Sequence, residues 1–128
     1  MSQSAGRETL RFGIQGRAPA GTYYMSPGLG GTLNTREHGT EIFYAGFLRR
    51  LRISVLTFPG TGANIVATVR VDGADTALTC SIVGRTLSAS DLTNVVAITA
   101  GQRVSIKLVS SLGSTVADLQ GCLEWAAS

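Results

Sequence analysis

Charge is scarce in this chain. Asp, Glu, Lys and Arg together make up 15% of its 128 residues, against about 25% in an ordinary globular protein, and the mean hydropathy is positive, +0.22. A surface so poor in charge needs an apolar cover. No run reaches the ~18 consecutive apolar residues of a spanning helix, because Arg, Asp, Ser, Thr and Gly interrupt every hydrophobic segment. The remaining cover is a second copy of the chain, since permanent interfaces are larger and more apolar than ordinary surface. Self-association and no membrane partner are therefore expected.

Histidine occurs once, as His38 in REHGTE, so any Ser-His-Asp or Cys-His arrangement must use it. Its setting between glycine and charged residues reads as an exposed loop, and no G-x-S-x-G elbow supplies a serine. Glu37, His38 and Glu41 are three possible metal ligands on one loop, an arrangement without the supporting shell that metal sites draw on. Asp72 and Asp75 read as turn residues rather than paired acids. The glycine clusters GLGG (28–31) and GTGA (60–63) are not followed by Lys-Ser/Thr and do not open a helix able to hold phosphate. No catalysis, metal or cofactor is expected; a small hydrolase built on His38 is the weakest of three functional readings.

Lysine also occurs once, as Lys107. The net charge is +3 and the pI about 9.3, with arginines spread along the sequence from Arg7 to Arg103. Nucleic-acid binders cluster such residues on one face, and single-strand binders add exposed aromatics, so nucleic acid is not expected as a partner. An acidic partner surface suits the balance as well. Cys80 and Cys122 lack C-x-x-C spacing. In a reducing compartment both are expected as small buried residues, and a disulfide requires them on adjacent strands. The opening MSQSAGRETLRFG has no apolar core behind a basic end, which points away from a secretory signal and toward a cytoplasm.

What is present is alternation. Residues 1–40 are rich in Gly, Ser, Ala and Arg and read as an arm and long loop with one strand in TLRFGIQ, where Leu10, Phe12 and Ile14 oppose Arg11 and Gly13. A loop this long in a compact domain is usually functional, and Tyr23, Tyr24 and Met25 give it an apolar anchor for a partner. From residue 41 to 128 short alternating strands follow one another: residues 41–45, the run around Leu51, Ile53 and Val55, residues 65–71, 77–83, 95–99, 103–108, and a last strand carrying Leu119, Leu123 and Trp125. Asp72-Gly73 between two of them is a strong hairpin signal. No window sustains helical spacing. The fold class is all-β: an antiparallel sandwich of jelly-roll type with about eight strands in one domain.

The segment GFLRRLRISVLTFPG (46–60) sets apolar residues beside three arginines. Simple alternation places Arg50 and Arg52 with Ser54 on the polar face, where they are candidate partner contacts. It places Arg49 and Phe47 in line with Leu51 and Ile53. Either the regular strand begins after Arg49, or Arg49 turns inward and needs a carboxylate such as Glu41 or Glu124.

The block VATVRVDGADTALTCSI, followed by SDLTNVVAITAGQRVSIKL, resembles a β-sandwich segment of bacteriophage virion proteins, similar to trimeric C1q/TNF-like jelly rolls. It covers about a third of the chain clearly; Gln102 stands where that pattern has an acid. The resemblance implies a homotrimer on a virion, assembled in a host cytoplasm: a capsid decoration (cement) protein or, alternatively, a tail-fibre head that binds a receptor or glycan. It also implies a sandwich face packed around a three-fold axis. Leu56, Val66 and Val83, opposite their core neighbours, are the candidates for that interface, and a capsid or other virion protein is the expected further partner.

Overall fold

A computed structural model describes residues 6–27 and 34–127. The described residues form ten strands, β1 (Arg7–Gly13), β2 (Gly21–Met25), β3 (Thr40–Glu41), β4 (Gly46–Ser54), β5 (Asn64–Val71), β6 (Ala74–Val83), β7 (Ser88–Asp91), β8 (Val96–Ile98), β9 (Arg103–Ser110) and β10 (Gln120–Ala127). The front sheet has the order β1-β10-β4-β7, with β8 also on β4; the back sheet has the order β2-β9-β5-β6, with β3 also on β9. Every pairing is antiparallel.

Because β2 and β3 share one neighbour, and β7 and β8 another, the ten strands fill eight positions, four to a sheet. The chain crosses between sheets on leaving β1, β3, β4, β6, β8 and β9, which is jelly-roll connectivity. The expected eight strands become ten because the polar and glycine-rich segments interrupt two positions rather than ending them.

The alternation works as the sequence suggests. Leu51 and Ile53 from the front sheet meet Ile65, Ala67, Val69, Leu78, Ile82, Ile106 and Leu108 from the back sheet in one core. Each fully buried Leu or Ile contributes about 2 kcal/mol of burial. The β5–β6 hairpin turns at Asp72 (φ 50°) and Gly73 (φ 79°); both residues at positive φ make it the primed turn that Asp-Gly favours.

The segment before Thr40 departs from expectation: residues 7–25 are part of the sandwich, not an arm. β1 pairs along its full length with β10, from Arg7↔Ala126 to Gly13↔Gln120, and β2 lies on β9. Phe12, Ile14, Ala18 and Met25 are core residues. β1 overlaps the strand expected in TLRFGIQ, whereas β2 carries little periodic signal because glycine and proline flank it closely and the backbone ladder, not a long apolar stripe, holds it. The cluster GLGG (28–31) lies outside the described residues. Cys80 faces the core from the back sheet, whereas Cys122 lies half-exposed on the outside of the front sheet. Both are free thiols, and the expectation of two buried cysteines holds only for Cys80.

One buried charge ties the two sheets. Asp91, at the end of β7, accepts hydrogen bonds from the amides of Thr79 (3.1 Å), Thr93 (3.0 Å) and Asn94 (3.1 Å) and from Asn94 Nδ2 (2.8 Å). Burial opposes its charge, but the Asn94 side chain and these three amides outweigh that and hold the carboxyl down at about 2. Burial, with the Asp91 charge second, pushes the Cys80 thiol up to about 12.

Candidate interaction faces

The outer face of the front sheet gathers arginines that the sequence scatters. On β1, Glu8, Leu10 and Phe12 point inward, so Arg7 and Arg11 point out, beside Cys122 and Glu124 of β10 and Arg52 of β4. Arg49 and Arg50 join them through a β-bulge. The register slips between Cys122 and Glu124, so that Arg50 and Leu51 together oppose Leu123, and Arg50 takes a positive φ of 56°.

That bulge resets the alternation of GFLRRLRIS. Leu48, Leu51 and Ile53 all point into the core, while Phe47, Arg49 and Arg52 lie on the outside. Phe47 is therefore not a core residue, and Arg49 does not turn inward. Arg49 Nε donates to Glu124 Oε1 at 2.6 Å, and Arg50 reaches the other oxygen at 3.5 Å. Of the two acids considered for Arg49, Glu124 of the same chain is the partner; Glu41 pairs with Arg103 at 3.7 Å. The Arg49 hydrogen bond first, and the Arg50 and Arg7 charges after it, hold the Glu124 carboxyl below the ordinary glutamate value against the cost of burial.

Five arginines face one glutamate here, a net of +4 against +3 for the whole chain, so all of the chain's excess positive charge sits on this face. Arg7, Arg11 and Arg52 have no ion-pair partner among the described residues. An open trough of about 1340 Å³ crosses β1, β10, β4 and β7, lined by Arg11, Arg52, Gln120, Cys122, Ser54 and Ser90 among others. Sequence reasoning found Arg50 and Arg52 but missed Arg7 and Arg11. The signal was available in TLRFGIQ, whose apolar face leaves Arg11 on the opposite side.

The outer face of the back sheet is built differently. Arg70 bridges Glu37 (Nε to Oε2, 2.8 Å) and Asp75 (2.5 Å), Lys107 donates to Asp75 at 2.7 Å, and Ser105 donates to Glu37. The Arg70 guanidinium also lies 5.6 Å from the centre of the Tyr24 ring. Glu37 is held below the ordinary glutamate value chiefly by Arg70, and Asp75 below the ordinary aspartate value chiefly by Lys107, then Arg70. Charge on this face is internally matched. Glu37, His38 and Glu41 do not converge, since Glu37 is committed to Arg70 and Glu41 to Arg103; among the described residues no three metal-type ligands cluster.

Toward the other end of the same face the surface becomes apolar. Val66 stands opposite Val109 on one side and Ser81 on the other, and Val83 is two residues beyond Ser81. This makes Val83 the diagonal neighbour of Val66, about 7–8 Å away. Val83 is 56% exposed. Two of the three interface candidates thus share one patch with Val109, while Leu56, 77% exposed, lies past the end of β4, where its amide donates to the Ala117 carbonyl.

Of the anchor residues Tyr23, Tyr24 and Met25, only Met25 is withdrawn from a partner by burial, and Tyr23 and Tyr24 stay half-exposed. Met25 is a core residue, 3% exposed, Tyr23 packs against the core, and Tyr24 is engaged by Arg70, because β2 closes the edge of the back sheet. The most exposed aromatics are Phe43 and Tyr44 on the loop before β4, 72% and 73% exposed, with Phe47 less so. In comparison with known proteins, no family model matches the chain and no curated protein matches it.

Proposed function

We propose that the chain is a structural assembly subunit of the virion type, a homotrimer that decorates and stabilises a capsid shell. One observation carries the self-association: the Val66, Val83 and Val109 patch stands unpaired on a sheet face whose charges are otherwise matched among themselves. Apolar surface beside a neutralised charge cluster suits burial against another copy, because closing it strands no unpaired charge. The resemblance of residues 65–108 to virion jelly rolls supports the virion setting, and the arginine face, with Arg50 and Arg52, supplies the contact to a second protein.

The test is mass in solution with a patch variant. Val66→Asp/Val83→Asp should run at the monomer mass while the unaltered chain runs at a multiple of it; equal masses for the two would overturn the assignment of the patch. A gene for a major capsid protein beside this one would support the shell setting.

A second reading, a tail-fibre head for a receptor or glycan, is favoured by exposed Phe43 and Tyr44, since exposed loop aromatics suit stacking on sugar rings. Strong glycan-array binding lost in Phe43→Ala/Tyr44→Ala would put this reading first.

A further inference from the structure

We propose that the trough on the front sheet is a docking site for an acidic, extended segment of a partner polypeptide, with carboxylates spaced three residues apart. The inference names the ligand chemistry of the arginine face and rests on the reading of that face as a protein contact.

Charge complementarity sets the sign. Arg11 and Arg52 are exposed, lack any ion-pair partner among the described residues, and stand on either side of Cys122 in one cross-strand row. Glu124, the acid of this face, is already occupied by Arg49 and Arg50. Two guanidinium groups without a local acid are forked donors suited to carboxylates.

The dimensions set the shape. Arg11 and Arg52 lie two strand spacings apart, about 10 Å at ~4.8 Å per spacing. Between them stands the small side chain of Cys122, and the next cross-strand row, Gly13, Gln120 and Ser54, continues the floor of the trough. A polyproline-II segment repeats every three residues and rises about 9.3 Å per repeat, so acids at i and i+3 fall on one side at the spacing of the two arginines. Ser54, Ser90 and Gln120 offer hydrogen-bonding groups to the segment's backbone, which such a helix leaves unpaired.

Nucleic acid fits less well. Single-strand binders stack bases on aromatic rings beside the basic groove. Among the described residues the only aromatic lining this trough is Phe12, 5% exposed and part of the core; Phe47, exposed on the same sheet face, lies in the row of Arg7, four residues along the strands from the row of Arg11 and Arg52.

The probe is a fluorescein-labelled peptide of four Glu-Pro-Pro repeats, titrated by anisotropy against the full chain at low and physiological salt. A Gln-Pro-Pro peptide and an oligothymidylate of about fifteen nucleotides serve as the other arms. The expected result is salt-sensitive binding of the Glu peptide, absent for the Gln peptide and weakened about tenfold or more in Arg11→Ser/Arg52→Ser. Arg103→Ser, on the other sheet, should bind as the unaltered chain does, and matching thermal melts establish that the double variant is folded.

Equal binding of the Glu and Gln peptides, no binding of either, or insensitivity to the double substitution would overturn the proposal. Tighter oligothymidylate binding lost in the same variant would replace it with a nucleic-acid site. The double variant should keep the mass of the unaltered chain, because neither arginine belongs to the valine patch. A monomeric chain that still bound the Glu peptide through these arginines would overturn self-association alone.

Discussion

Asp91→Asn is expected to destabilise the sandwich by about 2–3 kcal/mol at neutral pH, with a penalty that shrinks in acid. An aspartate ordinarily titrates near 3.8, and in the fold Asp91 is held at about 2. At about 1.36 kcal/mol per pH unit that gap corresponds to roughly 2 kcal/mol of preference for the charged form. Asparagine resembles the protonated acid and forfeits this preference. It also replaces one of the two acceptor oxygens with an NH2 group, so that either the Thr79 N and Asn94 Nδ2 donors at Oδ2 or the Thr93 and Asn94 amides at Oδ1 lose their acceptor. Because the folded value is depressed, the stabilisation is fully present above the unfolded value near 3.8 and is lost as pH falls toward and through about 2. Linkage leaves roughly half of this contribution at pH 3. Urea unfolding followed by the fluorescence of Trp125, the single tryptophan, measures both. A penalty under about 0.5 kcal/mol at pH 7, or one unchanged between pH 7 and pH 3, would refute the assignment of Asp91 as a charged tie between β6 and β7.

Other consequences follow from the same contacts. Glu124→Gln should lower stability by about 1 kcal/mol, since it leaves Arg49 and Arg50 beside Arg7 without their acid, and added salt should narrow the difference in melting temperature; a salt-independent difference would contradict the electrostatic account. Gly121→Ala should cost about 1–3 kcal/mol by overpacking, because a Cβ there would overlap the Phe12 ring and sit 2.8 Å from the Arg52 carbonyl oxygen; a melting temperature equal to that of the unaltered chain would show the site to be roomier. Deleting residues 1–13 should abolish cooperative unfolding, since it strips β1 from β10 and removes Phe12 from the core; a folded truncated chain would restore the view of this segment as an arm.

Strand alternation and turn chemistry made the central strands legible. Ile65, Ala67 and Val69, the Asp72-Gly73 turn, and Val104, Ile106 and Leu108 read correctly because a two-residue period against one buried face admits few alternatives. β1 was visible in TLRFGIQ, but its role as a full edge strand was not. β2 was hidden, because GTYYM sits between close glycine and proline and is held by backbone pairing. The bulge at Arg49 and Arg50 was also hidden. Nothing in LRRL marks a residue in the left-handed region, and one added residue moves Phe47 and Arg49 from the apparent core to the surface. The arginine face escaped the sequence for a topological reason: β1 and β4 lie far apart in the chain and become near neighbours only because β10 comes between them.

Self-association is the claim on which the functional account turns, and sedimentation equilibrium of the full chain at micromolar concentration tests it most directly. The account predicts a single species at three times the 13.3 kDa chain mass, reduced to one chain by Val66→Asp/Val83→Asp. A clean 13.3 kDa monomer over the whole concentration range would contradict it.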